Sequence, residues 1–68
     1  IMVLVKIKLT DREQELMRLI CQGYVQKQIA YRCGISKETV HVHLANIKGK
    51  LGAETTAQAA VIFTLGER

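Results

Sequence analysis

The sequence predicts an all-α domain of four short helices, two of which form a helix-turn-helix. The 68 residues include no proline and only one phenylalanine, a composition that favours a helical bundle over a sheet sandwich. About half of the residues are apolar, so one small helical core can form without a metal or a disulfide. The segment 26–45, QKQIAYRCGISKETVHVHLA, has the spacing of two short helices joined by a tight turn.

The first eight residues, IMVLVKIK, differ in pattern from the rest of the chain. They carry no helix cap and are rich in β-branched residues. We interpret residues 1–8 as an N-terminal arm or linker, and the pattern does not distinguish an extended arm, a short strand and a linker from an upstream domain. The domain itself is predicted over residues 9–66.

The first helix is predicted to begin with a capping box. Thr10 stands at the N-cap position and Glu13 at the third helical position, the pattern in which each residue caps the backbone of the other. Gly23 suits the C′ position that follows the end of a helix. Three apolar residues then define the buried face of this helix: Leu16, Leu19 and Ile20.

The second helix is predicted over residues 26–33. Val25 occupies its N-cap position and has no side-chain acceptor, so this start should be weaker than the others. Gly34 follows where the chain needs a positive φ to leave the helix. Ala30 allows the next helix to cross closely, and four further residues supply apolar contacts between the two helices: Ile29, Cys33, Ile35 and Val40.

The third helix is predicted over residues 37–51, with Ser36 as its N-cap and Gly52 after its end. A rotation of about 100° per residue places Val40, Leu44, Ile47 and Leu51 in one narrow buried stripe. The opposite face carries short or uncharged side chains between lysines, which suits a groove with phosphates on either side. That face consists of Glu38, His41, Val42, Ala45, Asn46 and Gly49.

The fourth helix is predicted from the Thr55–Gln58 capping box to about Leu65. It is apolar almost all round, so one face can pack on the core while the remainder needs a partner. We assign its surplus apolar and small residues to the symmetric pairing of two copies of the chain. These residues are Ala57, Ala60, Val61 and Thr64.

The positive charge of the chain is concentrated in the predicted helix-turn-helix. Residues 24–52 contain five lysines and arginines against one glutamate, which gives 5 − 1 = +4, equal to the net charge of the whole chain. Double-stranded DNA requires neutralisation of its phosphates, so this distribution indicates a nucleic-acid partner.

Several other function classes are disfavoured by the sequence. The chain is too small for a substrate pocket and contains no catalytic triad, paired catalytic carboxylates or glycine-rich phosphate loop, so we expect neither an enzyme nor a cofactor. Cys21 and Cys33 form no CxxC, and His41 and His43 point about 200° apart on a helix, so no metal site is predicted. Two unpaired cysteines suit a reducing cytoplasm, and the apolar run at residues 1–5 is too short to span a membrane.

Four linked motifs, LTDREQELMRLICQG, KQIAYRCGIS, TVHVHLANIKGKLG and TTAQAA, resemble the DNA-binding domain of LuxR/FixJ/NarL-type (GerE-like) bacterial transcription regulators. The resemblance covers residues 9 to 65. It implies sequence-specific binding of double-stranded DNA, with helix 3 in the major groove and helix 4 contributing to a homodimer. It also implies an upstream receiver or ligand-binding domain in many members, and RNA polymerase as a further partner.

The resemblance implies a role for individual residues as well. The family reads bases mainly from the positions of His41, Val42 and Ala45, with a polar residue at Asn46. Because the first and third of these positions are often lysine in relatives, the base preference of those relatives is not transferable. The residues expected to contact phosphate, from the resemblance or from their position beside the outer face of helix 3, are Lys27, Ser36, Lys37, Thr39, Lys48 and Lys50.

Two alternative functions share part of this pattern. A sigma-factor promoter-recognition module has the same LTxRE, IA, GIS and TV elements but normally ends after the recognition helix. A helical protein-interaction module would use helix 4 as its interface and would show no salt-sensitive DNA binding.

Overall fold

The computed structural model describes residues 9–66 and contains four helices, as the sequence predicts. They are α1 (Asp11–Cys21), α2 (Gln26–Cys33), α3 (Lys37–Leu51) and α4 (Thr56–Gly66). The described residues contain no strand. The interpretation of residues 1–8 as an arm or linker falls outside the described part.

The predicted capping interactions account for where the helices begin. Thr10 Oγ1 accepts from the Glu13 N–H at 3.1 Å, and Glu13 Oε1 accepts from the Thr10 N–H at 3.0 Å, which completes the capping box of α1. In α4, Thr55 Oγ1 accepts from the Gln58 N–H at 3.0 Å. The Gln58 side chain caps the Glu54 N–H rather than that of Thr55, so the reciprocal half of this predicted box is shifted by one residue.

The start of α2 has only one of the two capping interactions. Val25 accepts no bond through its side chain, as predicted, but the Gln28 side chain accepts from the Val25 N–H at 2.9 Å. Two of the predicted glycines end helices with a left-handed backbone, Gly34 at φ +69° and Gly52 at φ +71°. A residue with a side chain would be strained at these two positions.

The core lies around α3, which packs against all three of the other helices. The predicted stripe is confirmed: Val40, Leu44 and Ile47 are buried and Leu51 is half-buried at its end. On α1 the centre of the buried face is shifted from the prediction, because Leu16 and Met17 are fully buried while Leu19 and Ile20 are half-buried. The other helices complete the core with Ile29, Ala30 and Ala59.

Candidate nucleic-acid interface

The two helices of the helix-turn-helix are held together by the turn between them and by their apolar contacts. The Ile35 N–H donates to the Ala30 carbonyl at 3.0 Å, so the chain closes over the end of α2 through the left-handed Gly34. Ile29 and Val40 are fully buried across the contact between α2 and α3. The orientation of α3 relative to α2 is therefore set by packing on the core side of both helices.

The start of α3 is fixed by a hydroxyl pair. Ser36 Oγ accepts from the Thr39 N–H at 3.0 Å and lies 2.8 Å from Thr39 Oγ1. Both residues are exposed, so each hydroxyl oxygen remains accessible to a further partner. Together with the free N–H groups of the first turn, they form a polar surface at the positive end of the helix dipole, which favours an anion.

The outer face of α3 is solvent-exposed over its whole length. His41, Val42, Ala45 and Asn46 are all exposed, and Val42 exposes 56% of its surface although it is aliphatic. His43, which the sequence places off this face, is half-buried. The four predicted base-reading residues are thus brought together on one accessible helical surface that carries no charge at its centre.

Lysines border this face. Lys27 on α2 and Lys37 at the start of α3 are exposed, and Lys48 near the end of α3 is half-buried. Among residues 9–66 none of these three ammonium groups has a carboxylate within 4 Å; the ion pairs of this region are Arg12–Glu15 and Lys50–Glu13. The charges of Lys27, Lys37 and Lys48 are therefore available to an external anion.

Lys50 differs from the other predicted phosphate contacts. Its Nζ lies 2.8 Å from Glu13 Oε1, a carboxylate oxygen that also accepts the Thr10 N–H. The Glu13 residue is only 4% exposed. The ammonium of Lys50 thus has a partner inside the domain, a contact that sequence analysis did not predict.

The pKa of Glu13 reflects this environment. Burial by itself raises the pKa of this carboxyl, because it disfavours the charged form. The hydrogen bond and the charge of Lys50, together with the bonds from Thr10, outweigh burial and bring the pKa below the usual value for a glutamate. The side chain is therefore ionised at neutral pH and paired with Lys50.

A second long-range contact was also missed by sequence analysis. Arg12 Nη1 donates to the Cys33 carbonyl at 3.4 Å and lies 3.7 Å from Glu15 Oε1. The Cys33 carbonyl is at the C-terminal end of α2, where helix carbonyls lack an internal partner. The sequence offered little indication of these contacts. Arg12 and Glu13 are charged, but the capping box already accounted for the presence of Glu13.

The residues assigned to pairing lie on the outer side of α4. Ala57, Val61 and Thr64 are exposed, with Val61 exposing 59% of its surface, while Ala60 is half-buried against the core. They adjoin the end of α1, where Cys21 Sγ lies 3.6 Å from Thr64 Oγ1. A shallow, mostly apolar groove runs between the two helices and is lined by Ile20, Cys21, Ala60, Val61, Thr64 and Leu65.

Two further findings concern other kinds of site. In the described part of the chain, no three histidine, cysteine, aspartate or glutamate side chains are grouped so that they could hold a metal ion. Across the same residues, every helix is too short or too polar to cross a membrane.

Comparison with known proteins supplies the remaining finding. The sequence model of a family described as bacterial regulatory proteins, luxR family, matches residues 8–63. A nitrate/nitrite response regulator protein homolog of Haemophilus influenzae is 46% identical over 55 residues, which are 81% of this chain and 26% of the relative. The transcriptional regulatory protein UhpA of Escherichia coli is 42% identical over 52 residues, 76% of this chain and 26% of the relative.

A third relative is the DNA-binding transcriptional activator DevR/DosR of Mycobacterium tuberculosis, 41% identical over 56 residues, which are 82% of this chain and 26% of the relative. The chain thus spans about a quarter of the length of these curated relatives.

Proposed function

Because this chain belongs to the LuxR family of bacterial regulatory proteins, we propose that it binds double-stranded DNA sequence-specifically and regulates transcription, with α3 in the major groove. The observation that carries the proposal is the exposed, centrally uncharged face of α3, bordered by lysines that have no carboxylate within 4 Å among residues 9–66. A helix of this diameter fits the major groove, and its short side chains allow the backbone to approach the bases.

We assign base reading to the outer face of α3. The isopropyl group of Val42 suits a thymine methyl, and the amide of Asn46 can hydrogen-bond to a base edge. His41 and Ala45 stand on either side of them on the same face. Ala45 offers only a methyl group, so it shapes the fit of the helix in the groove more than it discriminates between bases by hydrogen bonding.

Phosphate contacts are assigned to the residues around this face. Lys27, Lys37 and Lys48 supply charge, while Ser36 and Thr39 supply hydroxyl groups at the N-terminus of α3. Lysines that neutralise phosphates release counterions, and three of them predict a slope of log K against log salt of about −3 per domain. Lys50 belongs to the group predicted from the sequence, but its pairing with Glu13 sets it apart.

The partners that we propose follow from the same evidence. Two copies bind an inverted repeat and contact each other through Ala57, Ala60, Val61 and Thr64 of α4, which are small or exposed. An upstream regulatory domain and RNA polymerase are proposed because relatives are named as response regulators and transcriptional regulatory proteins. The cytoplasm is the compartment in which such a protein would meet its DNA.

The test begins with selection of bound sites from random duplexes, followed by salt titration of the selected duplex. Val42→Ala should lose discrimination at one or two base pairs by about 1 kcal/mol, because base-edge contacts specify the sequence. Lys37→Ala should weaken binding to all duplexes alike and reduce the salt slope by about 0.9. Lys37 suits this comparison because it is exposed at the first position of α3, where the loss of a cation does not harm the helix dipole.

Two outcomes would contradict the proposal. Binding that is indifferent to salt would mean that phosphates are not neutralised, and would favour a helical protein-interaction module. The same uniform loss for Val42→Ala and Lys37→Ala across a panel of duplexes would mean that α3 does not lie in the groove.

A further inference from the structure

The first turn of α1 contacts the C-terminal ends of both helices of the helix-turn-helix. Arg12 donates to the Cys33 carbonyl at the end of α2, at 3.4 Å. The next residue, Glu13, accepts from Lys50 in the last turn of α3, at 2.8 Å. Two consecutive side chains of α1 therefore hold the two helices that form the proposed DNA-binding surface.

Loss of the Glu13–Lys50 contact would destabilise the fold. The Glu13 side chain is 6% exposed and the Lys50 side chain 40% exposed, so the carboxylate lies inside while the ammonium stays partly in water. A buried carboxylate needs charge compensation, and Lys50 is the only cation that pairs with Glu13 among residues 9–66. If Lys50 moved to a phosphate, the buried charge would lose its counterion.

Besides Leu51, which is half-buried against the core, the Lys50–Glu13 contact is the anchor of the last turn of α3 among the described residues. Gly49 lies inside this turn and Gly52 follows it, and glycine within a helix is unfavourable because of its backbone freedom. Asn46, on the outer face, is one turn before Lys50. Loss of the anchor would therefore move or loosen the part of α3 that carries the end of the base-reading face.

We propose that Lys50 is a positioning residue, which orients the C-terminal half of α3 through Glu13 and does not itself neutralise a phosphate. This inference rests on the proposed DNA-binding function and revises the role predicted for Lys50 from the sequence. It assigns to Glu13, a residue on α1 away from the outer face of α3, an indirect effect on DNA affinity.

Glu13→Gln separates the two roles of Lys50 because they predict opposite results. The amide oxygen keeps an acceptor for the Thr10 N–H, but the loss of the negative charge removes the ion pair and weakens the hold on Lys50. A positioning role predicts that affinity for the selected duplex falls about three- to tenfold, while affinity for a duplex of mixed sequence falls less. A phosphate contact by Lys50 predicts that affinity stays constant or rises, because the competing carboxylate is gone.

Lysine variants supply the second measurement. Lys50→Met should lower affinity for the selected duplex with an unchanged salt slope, and Lys50→Arg should preserve affinity because the cation beside Glu13 is kept. The matched control is Lys48→Met, which removes from the same turn a lysine with no ion pair in the described part of the chain, and which should reduce the slope by about 0.9. A reduction of this size for Lys50→Met would overturn the proposal.

The double variant Glu13→Gln/Lys50→Met connects affinity with the ion pair. It should bind the selected duplex no more weakly than Lys50→Met alone, and its thermal unfolding temperature should be higher, because no buried carboxylate is left unpaired. Additive losses of affinity would contradict a shared role. If Lys50→Met does not fold, the affinity of Glu13→Gln for the selected duplex still decides between the two roles of Lys50.

Failure of this inference is distinguishable from failure of the proposed function. Absence of salt-sensitive binding by the unmodified chain, to either the selected or the mixed duplex, would refute the DNA-binding function itself. Salt-sensitive binding by the unmodified chain, with unchanged or tighter binding by Glu13→Gln, would refute only the positioning role of Lys50.

Discussion

Replacement of Val25 by threonine should supply the acceptor that the N-terminus of α2 lacks. At the other three helix starts a hydroxyl accepts an N–H three residues further on, at 3.0 to 3.1 Å. Val25 has φ −91° and ψ 167°, close to the −78° and 160° of the N-cap Ser36. The backbone is therefore already placed for a threonine hydroxyl to accept the Gln28 N–H.

The expected gain can be worked out from two opposing terms. An N-cap hydroxyl contributes about 1 kcal/mol to the free energy of unfolding. The substitution also replaces a methyl group by a hydroxyl and so removes the hydrophobic stabilisation of that methyl. A fully buried methyl contributes about 0.8 kcal/mol, and because Val25 is 60% exposed the loss here is about 0.3 kcal/mol. The net gain of about 0.7 kcal/mol corresponds to a Tm increase of about 3–5 °C in a domain of this size.

Thermal unfolding followed by circular dichroism measures this increase. Val25→Ala is the matched control, since it removes apolar surface without adding an acceptor and should not raise the Tm. A second effect is expected on DNA, because the new hydroxyl lies two residues before Lys27 and can also bond to a phosphate. If Val25→Thr were no more stable than Val25→Ala, the missing cap would not limit the stability of α2.

Two further predictions concern acid stability and pairing. The pKa of Glu13 is below its usual value in the folded state, so its pair with Lys50 stabilises the fold above the usual glutamate range. This stabilisation is lost as pH falls through the lowered pKa. Urea unfolding at neutral and at acid pH should therefore show a smaller loss of stability for Glu13→Gln than for the unmodified chain. Equal losses in the two proteins would contradict this prediction. Val61→Glu should leave the fold intact, since the residue is 59% exposed, but should abolish cooperative filling of two half-sites about one helical turn apart. Band-shift assays on single and paired half-sites measure this, and unchanged cooperativity would make α4 a core helix alone.

The sequence by itself determined the helices, their limits and the family. The predicted ranges of α2 and α3 agree with the structure because their ends depend on local features. A helix start is capped by residues within three positions of each other, and a single glycine with a left-handed backbone ends the helix. The buried stripe of α3 was likewise predictable, since a helix rotates by a constant angle per residue. Each of these features is encoded within one turn or one face of a single helix.

Only the tertiary structure decided the contacts between helices. It is responsible for the burial of Met17 in place of Leu19, because the angle at which α1 packs on α3 selects the centre of the face. It likewise placed Ala60 half-buried against the core, although the sequence had assigned it to the outer side of α4 with Val61. The pairing of Glu13 with Lys50 joins residues 37 positions apart, and no local pattern specifies such a pair, because a charge attracts whichever opposite charge the fold brings within reach.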